Sequence, residues 1–176
     1  DTDSVWLDSA GAATTTAVYQ ATSTWASIIA TGLSLDTAYQ FTVIAQNQAG
    51  TDAVTSTASD EIYTLANAPG TPTTSNITGT TIDLTLNTNS NPVSTTYAIY
   101  ESSTGLYVAN DEDLDSATAV WKTNTGWDTP TIDELTANTE YTFQVIAKNQ
   151  DDTQTATTSA DSAYTLASAP TSPTAT

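Results

Sequence analysis

The chain has 176 residues and a net charge of −18, because 20 acidic residues are balanced by only two lysines. It has no cysteine or histidine, which excludes the usual zinc sites, thiol nucleophiles and a Ser-His-Asp relay. A chain with this charge lacks a basic face that could bind phosphates, so we expect no nucleic acid binding. No apolar run reaches the length of a membrane helix, and we therefore expect no membrane insertion in this segment.

The first element to stand out is DTAYQFTVIAQNQ at residues 36–48, which returns 102 residues later as NTEYTFQVIAKNQ. At the same offset Trp25 returns as Trp127. A period near one hundred residues is too long for a solenoid repeat and has the size of a whole β-sandwich, so the sequence predicts an array of domains.

Residues 1–66 correspond only to the part of the repeat from about residue 103 onward. They lack counterparts of TTIDLTL and TTYAIY, and a sandwich without those strands would expose its core. We therefore expect residues 1–66 to be the C-terminal part of a domain whose first strands are missing. Either the chain continues before Asp1, which the repeat favours, or another copy donates the strands.

Proline marks two joints, in APGTPT from Ala68 and in APTSPT from Ala169. Proline has no amide donor and stiffens the chain, so such a run is typical of a semi-rigid joint or an edge strand. We expect a linker at residues 67–72, and a linker with the start of a further repeat at residues 169–176.

Residues 68–168 are predicted to form a complete domain built from strands. Ile82, Leu84 and Leu86 alternate with polar residues, as do Phe143 and Val145 later in the chain, and this period of two indicates strands with one buried face. No sustained 3.6-residue apolar pattern occurs, so we predict an all-β fold without a convincing helix.

The run from Leu135 to Tyr141, followed by Phe143 and further alternating residues, resembles the L-x-P-x-T-x-Y-x-F-x-V-x-A-x-N motif of fibronectin type III domains. The resemblance implies tandem, immunoglobulin-like antiparallel β-sandwiches of seven strands, and it makes Tyr39 and Tyr141 structural tyrosine corners. The motif's proline is Leu35 in one copy and Ala137 in the other. The chain is similar to the variety of this domain found in large repetitive microbial cell-surface proteins.

One acidic run is a candidate metal site. Asp111, Asp113 and Asp115 place carboxylates at alternate positions, which would gather oxygen ligands for calcium. A solvated loop is the alternative, because the run lacks the glycine and the distal glutamate of an EF-hand. Calcium is the only cofactor that the sequence suggests.

Two features concern sugars. Trp25 and Trp127 recur at one repeat position, where flat rings would form a glycan platform or pack in the core. Asn76 opens the sequon Asn-Ile-Thr and is a candidate N-glycosylation site.

Together these features predict a structural repeat segment of an extracellular or cell-surface array or filament, a non-catalytic spacer or stalk. Its expected partners are neighbouring repeats or other copies of itself. The alternative is an adhesin or a carbohydrate-binding accessory module of a secreted protein, with glycans or cell-surface components as partners.

Overall fold

A computed structural model describes residues 5–25 and 27–172. The chain divides into two compact units, residues 1–64 and residues 65–176. The predicted start of a further repeat lies partly outside the described residues, because residues 173–176 are not among them.

The second unit is an antiparallel β-sandwich. Its strands are β5 (Gly70–Ser75), β6 (Ile82–Asn87), β7 (Thr96–Glu101), β8 (Leu106–Tyr107), β9 (Lys122–Thr123), β10 (Thr131–Ile132), β11 (Glu140–Lys148) and β12 (Asp161–Tyr164). One sheet has the order β10-β6-β5, and the other has the order β12-β11-β7-β8, with β9 also pairing with β7. The all-β sandwich class predicted from the sequence is confirmed.

Residues 65–172 contain eight strands where the resemblance implied seven. The difference lies at one edge, where β8 pairs with Tyr100 and Glu101 while β9 pairs with Thr96 and Tyr97. Two short strands thus share the edge of β7 that one longer strand would otherwise occupy.

The core of the second unit lies between its two sheets. Ile82 and Leu84 from β6 face Phe143 and Val145 from β11, and the exposed fraction of each is 0%. The intervening Asp83 and Thr85 are more exposed, as the alternation along β6 predicts. Burial of these apolar side chains stabilises the sandwich.

The expectation of no helix is corrected by two helical turns, α1 (Thr22–Trp25) and α2 (Asn124–Trp127). The Thr123 hydroxyl accepts a hydrogen bond from the Gly126 amide and caps the start of α2. Four residues are too few to create a 3.6-residue apolar pattern, so the sequence carries no periodic signal for them. Neither described helix has the length or the hydropathy needed to span a membrane.

The beginning of β5 overlaps the predicted linker. The Asn67 amide donates to Asn91 Oδ1 at 2.7 Å, and Asn91 Nδ2 donates back to the Asn67 carbonyl at 2.8 Å. Asn89 Nδ2 donates to the Ala68 carbonyl at 2.9 Å. These bonds tie residues 67 and 68 to the turn between β6 and β7.

The first unit has less regular structure. Its described strands form two small antiparallel pairs, in which β1 (Trp6–Leu7) pairs with β2 (Ala13–Thr14) and β3 (Ala38–Tyr39) pairs with β4 (Ile62–Tyr63). The segment that follows β3 is similar in sequence to β11, but it lacks the strand pairs that β11 makes with β12 and β7.

Candidate functional site

Each unit contains a tyrosine tied to the backbone five residues upstream. In the first unit the Ser34 amide donates to the Tyr39 hydroxyl at 2.9 Å. In the second the Thr136 amide donates to the Tyr141 hydroxyl, also at 2.9 Å. These are the two positions at which the resemblance implies tyrosine corners.

A threonine from the last strand region completes the same arrangement in each unit. The Thr64 hydroxyl donates to the Ser34 carbonyl at 2.6 Å and accepts from the Thr37 amide at 3.1 Å. Thr165 does the same with Thr136 at 2.6 Å and with Thr139 at 3.0 Å. Sequence reasoning missed this threonine clamp, although the repeated Tyr-Thr-Leu-Ala that contains both threonines was its signal.

The two copies of the motif differ sharply in exposure. Phe143 and Val145 are 0% exposed in the second unit, whereas Phe41 is 37% and Val43 is 71% exposed in the first. The local hydrogen bonds nevertheless agree, because the Val43 amide donates to Ser56 Oγ and the Val145 amide to Thr158 Oγ1, both at 3.0 Å. The first unit therefore has an open apolar face at a position that is core in the second.

Trp127 is a core residue, so its interpretation as part of a glycan platform is wrong. Its ring is only 2% exposed, and its indole Nε1 donates to the Tyr97 carbonyl at 2.8 Å. Lys122 Nζ lies 4.3 Å from the ring centroid, and this cation–π contact covers part of the ring face. The equivalent Trp25 ends α1 and is half-buried, so a glycan contact there stays a prediction.

The acidic run is organised around a carboxylate pair. Asp113 forms an isolated parallel bridge with Asp133, while Asp111 and Asp115 are exposed. The hydrogen bond to Asp133 comes first among the causes that raise the pKa of Asp113 to about 6, followed by burial and the negative charges of Asp133, Glu134 and Asp111.

Among residues 5–25 and 27–172, no group of three or more acidic side chains is placed to hold a metal ion. The Asp113 carboxyl group instead forms a hydrogen bond with Asp133, a residue outside the predicted site. Calcium binding by Asp111, Asp113 and Asp115 stays a prediction.

Glu101 is a buried carboxylate at the end of β7 that sequence reasoning missed. Its oxygens accept hydrogen bonds from the Ser103 amide and hydroxyl, the Thr104 amide and hydroxyl, and the Thr142 amide, at 2.6–3.1 Å. Burial raises the pKa of Glu101, but the hydrogen bonds from Ser103, Thr142 and Thr104 outweigh it, so the pKa is lowered. The signal was an acid at the end of an apolar strand, followed directly by hydroxyl residues.

Asn76 lies in the loop between β5 and β6. It is exposed, has a φ of 45° and donates from Nδ2 to Asp83 Oδ2 at 2.8 Å. Glycosylation of Asn76 stays a prediction.

No protein-family model matches the sequence, and no curated protein matches it. Among solved structures, the chain is similar to the fibronectin type III domain of human fibronectin type III domain containing protein 3. That match has 17% identity and a TM-score of 0.42 over 58% of this chain and 88% of that chain.

The chain is also similar to the fibronectin type III domain derived from human KIAA0970 protein, with 19% identity and a TM-score of 0.41 over 62% of this chain and 80% of that one. A third match is domains d3–d4 of the rat CD45 extracellular region, with 20% identity and a TM-score of 0.41 over 78% and 67% of the two chains. The strand order and register of the second unit independently give the antiparallel sandwich class.

Proposed function

We propose that the chain is a non-catalytic structural segment of an extracellular or cell-surface array or filament, acting as a spacer or stalk. One observation carries the proposal. The tyrosine hydroxyl and the threonine clamp recur in both units with the same partners and nearly the same distances. The feature that the two units share is thus a set of hydrogen bonds that stabilises the fold. Repetition of such a feature is typical of a protein that consists of tandem domains.

The loops that would carry a ligand site differ between the units. The carboxylates at 111, 113 and 115 fall at repeat positions that hold Ser9, Gly11 and Ala13 in the first unit. A net charge of −18 keeps such a chain soluble and disfavours non-specific association. These features favour a spacer over a repeated binding module.

In this proposal residues 67–72 are a stiff joint between the incomplete domain at residues 1–66 and the complete domain at residues 68–168. The hydrogen bonds of Asn89 and Asn91 to residues 67 and 68 support that role, because they remove freedom from the chain where it enters β5. Pro69 and Pro72 restrict the same stretch further.

The location is tested with antibodies raised against residues 65–172 on intact source cells. We expect labelling of extended structures outside cells that have not been permeabilised. Labelling that requires permeabilisation would overturn the proposal.

The adhesin alternative is tested on a glycan array with the wild-type chain and a Trp25→Ala variant. A spacer gives no sugar signal in either case. Sugar binding that is lost in Trp25→Ala would replace the spacer by a carbohydrate-binding function.

A further inference from the structure

The three-stranded sheet of the second unit has two edge strands, β5 and β10, with β6 between them. The Leu84 amide of β6 donates to the Pro130 carbonyl at 3.0 Å, so it points away from β5. Thr74 lies opposite Leu84, and Thr131 lies opposite Asp83. Because hydrogen-bonded and non-hydrogen-bonded pairs alternate along antiparallel strands, the amides of Thr74 and Thr131 both point away from β6, toward the outer edges of the sheet.

A carboxylate occupies each of these two outward amides. At β5, Asp161 Oδ2 accepts from the Thr74 amide at 2.7 Å and from the Thr74 hydroxyl at 2.9 Å. At β10, Glu112 Oε2 accepts from the Thr131 amide at 2.8 Å. Asp161 begins β12 of the opposite sheet, and Glu112 lies between β8 and β9. The same arrangement is therefore made twice, by acids from two separate segments.

The backbone on either side of Thr74 gives an incoming strand little to pair with. Pro72, two residues earlier, has no amide hydrogen, and the register of β5 against β6 is irregular between Gly70 and Thr73. Asn76, two residues later, has a φ of 45°, which ends the extended conformation. An added strand would thus find no donor at Pro72 and an occupied donor at Thr74.

Strand addition at these edges would require the carboxylates to be displaced. A strand adds to a sheet edge through main-chain hydrogen bonds, so the outward amide must first release its acceptor. Hydrogen bonds to ionised acceptors are stronger than those between neutral groups. The displaced carboxylate would also face a second chain with a net charge of −18, which repels it. Charged side chains and proline are common means of protecting the exposed edge of a sheet.

We propose that Asp161 and Glu112 are edge guards. Each occupies the outward amide of an edge strand, and together with Pro72 they prevent another strand from adding to the three-stranded sheet. The surface concerned is the two outer edges, and the partner that they reject is an extended segment of a second copy of this chain. The proposal does not depend on the array function, because it concerns contact between any two copies.

The test at β5 is amide hydrogen exchange of the full chain, resolved by residue with NMR and repeated at increasing protein concentration. In Asp161→Ala the Thr74 amide should exchange about tenfold or more faster than in the wild type in dilute solution, because it has lost its acceptor. In Asp161→Ala combined with Pro72→Val, which supplies a further amide, exchange at residues 72–75 should slow again as the concentration rises. Sedimentation should show association of that double variant.

Two controls separate the hydrogen bond from the charge. Asp60→Ala removes a charge at the repeat position equivalent to Asp161, from an exposed residue of the first unit, and should behave as the wild type does. Asp161→Asn in the Pro72→Val background removes the edge charge but keeps an oxygen that accepts from the Thr74 amide, so residues 72–75 should gain no protection with concentration.

The β10 edge gives a second comparison that changes no backbone donor. Glu112→Ala frees the Thr131 amide, and exchange at residues 131–132 should slow as the concentration rises. Glu112→Gln keeps an acceptor oxygen and should show no such change. Equal behaviour of the two variants would overturn the proposal independently of Pro72→Val.

Concentration-dependent protection of residues 72–75 in the wild type would also overturn it, and that measurement needs no variant to fold. The remaining contrary results are a double variant that does not associate although exchange in its β11 amides is unchanged, and association with Asp161→Asn as strong as with Asp161→Ala in the same background. The first would show that the freed edge does not accept a strand, and the second that charge alone keeps copies apart.

Discussion

Phe143 and Phe41 occupy the same position of the repeat. Replacing each by alanine tests how far the burial of a phenylalanine decides its contribution to the free energy of unfolding. Phe143 is 0% exposed in the core of the second unit, and Phe41 is 37% exposed in the first. The two substitutions delete the same atoms from equivalent positions of two similar sequences. Any difference between them therefore reports what covers the ring.

The expected effects follow from burial. Truncating a fully buried phenylalanine removes its transfer free energy and leaves a cavity, which lowers the free energy of unfolding by about 3–5 kcal/mol. At Phe41 only about two thirds of the ring is covered, and an open site leaves no enclosed cavity. The full transfer term for such a side chain is about 1.5–3 kcal/mol, so Phe41→Ala should lower the free energy of unfolding by about 1–2 kcal/mol.

Native-state hydrogen exchange separates the two units within one chain. In Phe143→Ala, the opening free energy of the β11 amides should fall by about 3–5 kcal/mol, with exchange in residues 38–59 unchanged. In Phe41→Ala, the loss should be confined to residues 38–59 and stay below about 2 kcal/mol. Equal losses above about 3 kcal/mol in both variants would show that Phe41 is buried in solution, and the open face would not exist.

Three further predictions concern the second unit. The pKa of Asp113 is raised from its ordinary value of 3.8 to about 6, so protonation of Asp113 stabilises the fold. This stabilisation is fully present below pH 3.8 and is lost as the pH rises through about 6. Asp113→Asn should therefore raise the melting temperature at pH 7.5, and calorimetry should show the gain shrinking toward pH 4. The lowered pKa of Glu101 has the opposite sign, so its contribution is lost as the pH falls below its ordinary value of 4.5. Glu101→Gln should destabilise the unit at pH 7 by about 1–3 kcal/mol in denaturant titration, because a buried amide donor cannot replace an acceptor. Asn91→Ala should speed proteolysis near residues 64–68 without changing exchange in β11, and an unchanged cleavage rate would show that the bonds to Asn67 do not restrain the joint.

The sandwich class was predictable because strand alternation is a local signal. Ile82, Leu84 and Leu86 alternate with polar residues, and all three lie in the core. Phe143 and Val145 follow the same rule on β11. A period of two involves only residues of one strand, so it can be recognised in the sequence without knowing the partner strands.

The polar sites were not predictable in this way, because they join residues distant in sequence. Glu101 accepts one of its hydrogen bonds from the amide of Thr142, 41 residues away, and the hydroxyl residues that follow Glu101 in the sequence do not reveal that partner. Asp113 pairs with Asp133, 20 residues on, whereas spacing alone drew attention to Asp111 and Asp115. In both cases strand register decides which side chains meet, and one sequence does not reveal register.

The repeated motif shows both effects within a single chain: features that depend on the local sequence and features that depend on distant strands. Tyr39 and Tyr141 accept the same backbone hydrogen bond at the same distance, because that bond closes within five residues and depends on local sequence. Phe41 and Phe143 differ in exposure, because burial depends on strands more than forty residues away in the second unit. A local motif therefore specifies its own hydrogen bonds, while its stability depends on which strands cover it. The same division explains why a segment with the backbone arrangement of a core strand has exposed apolar side chains in the first unit.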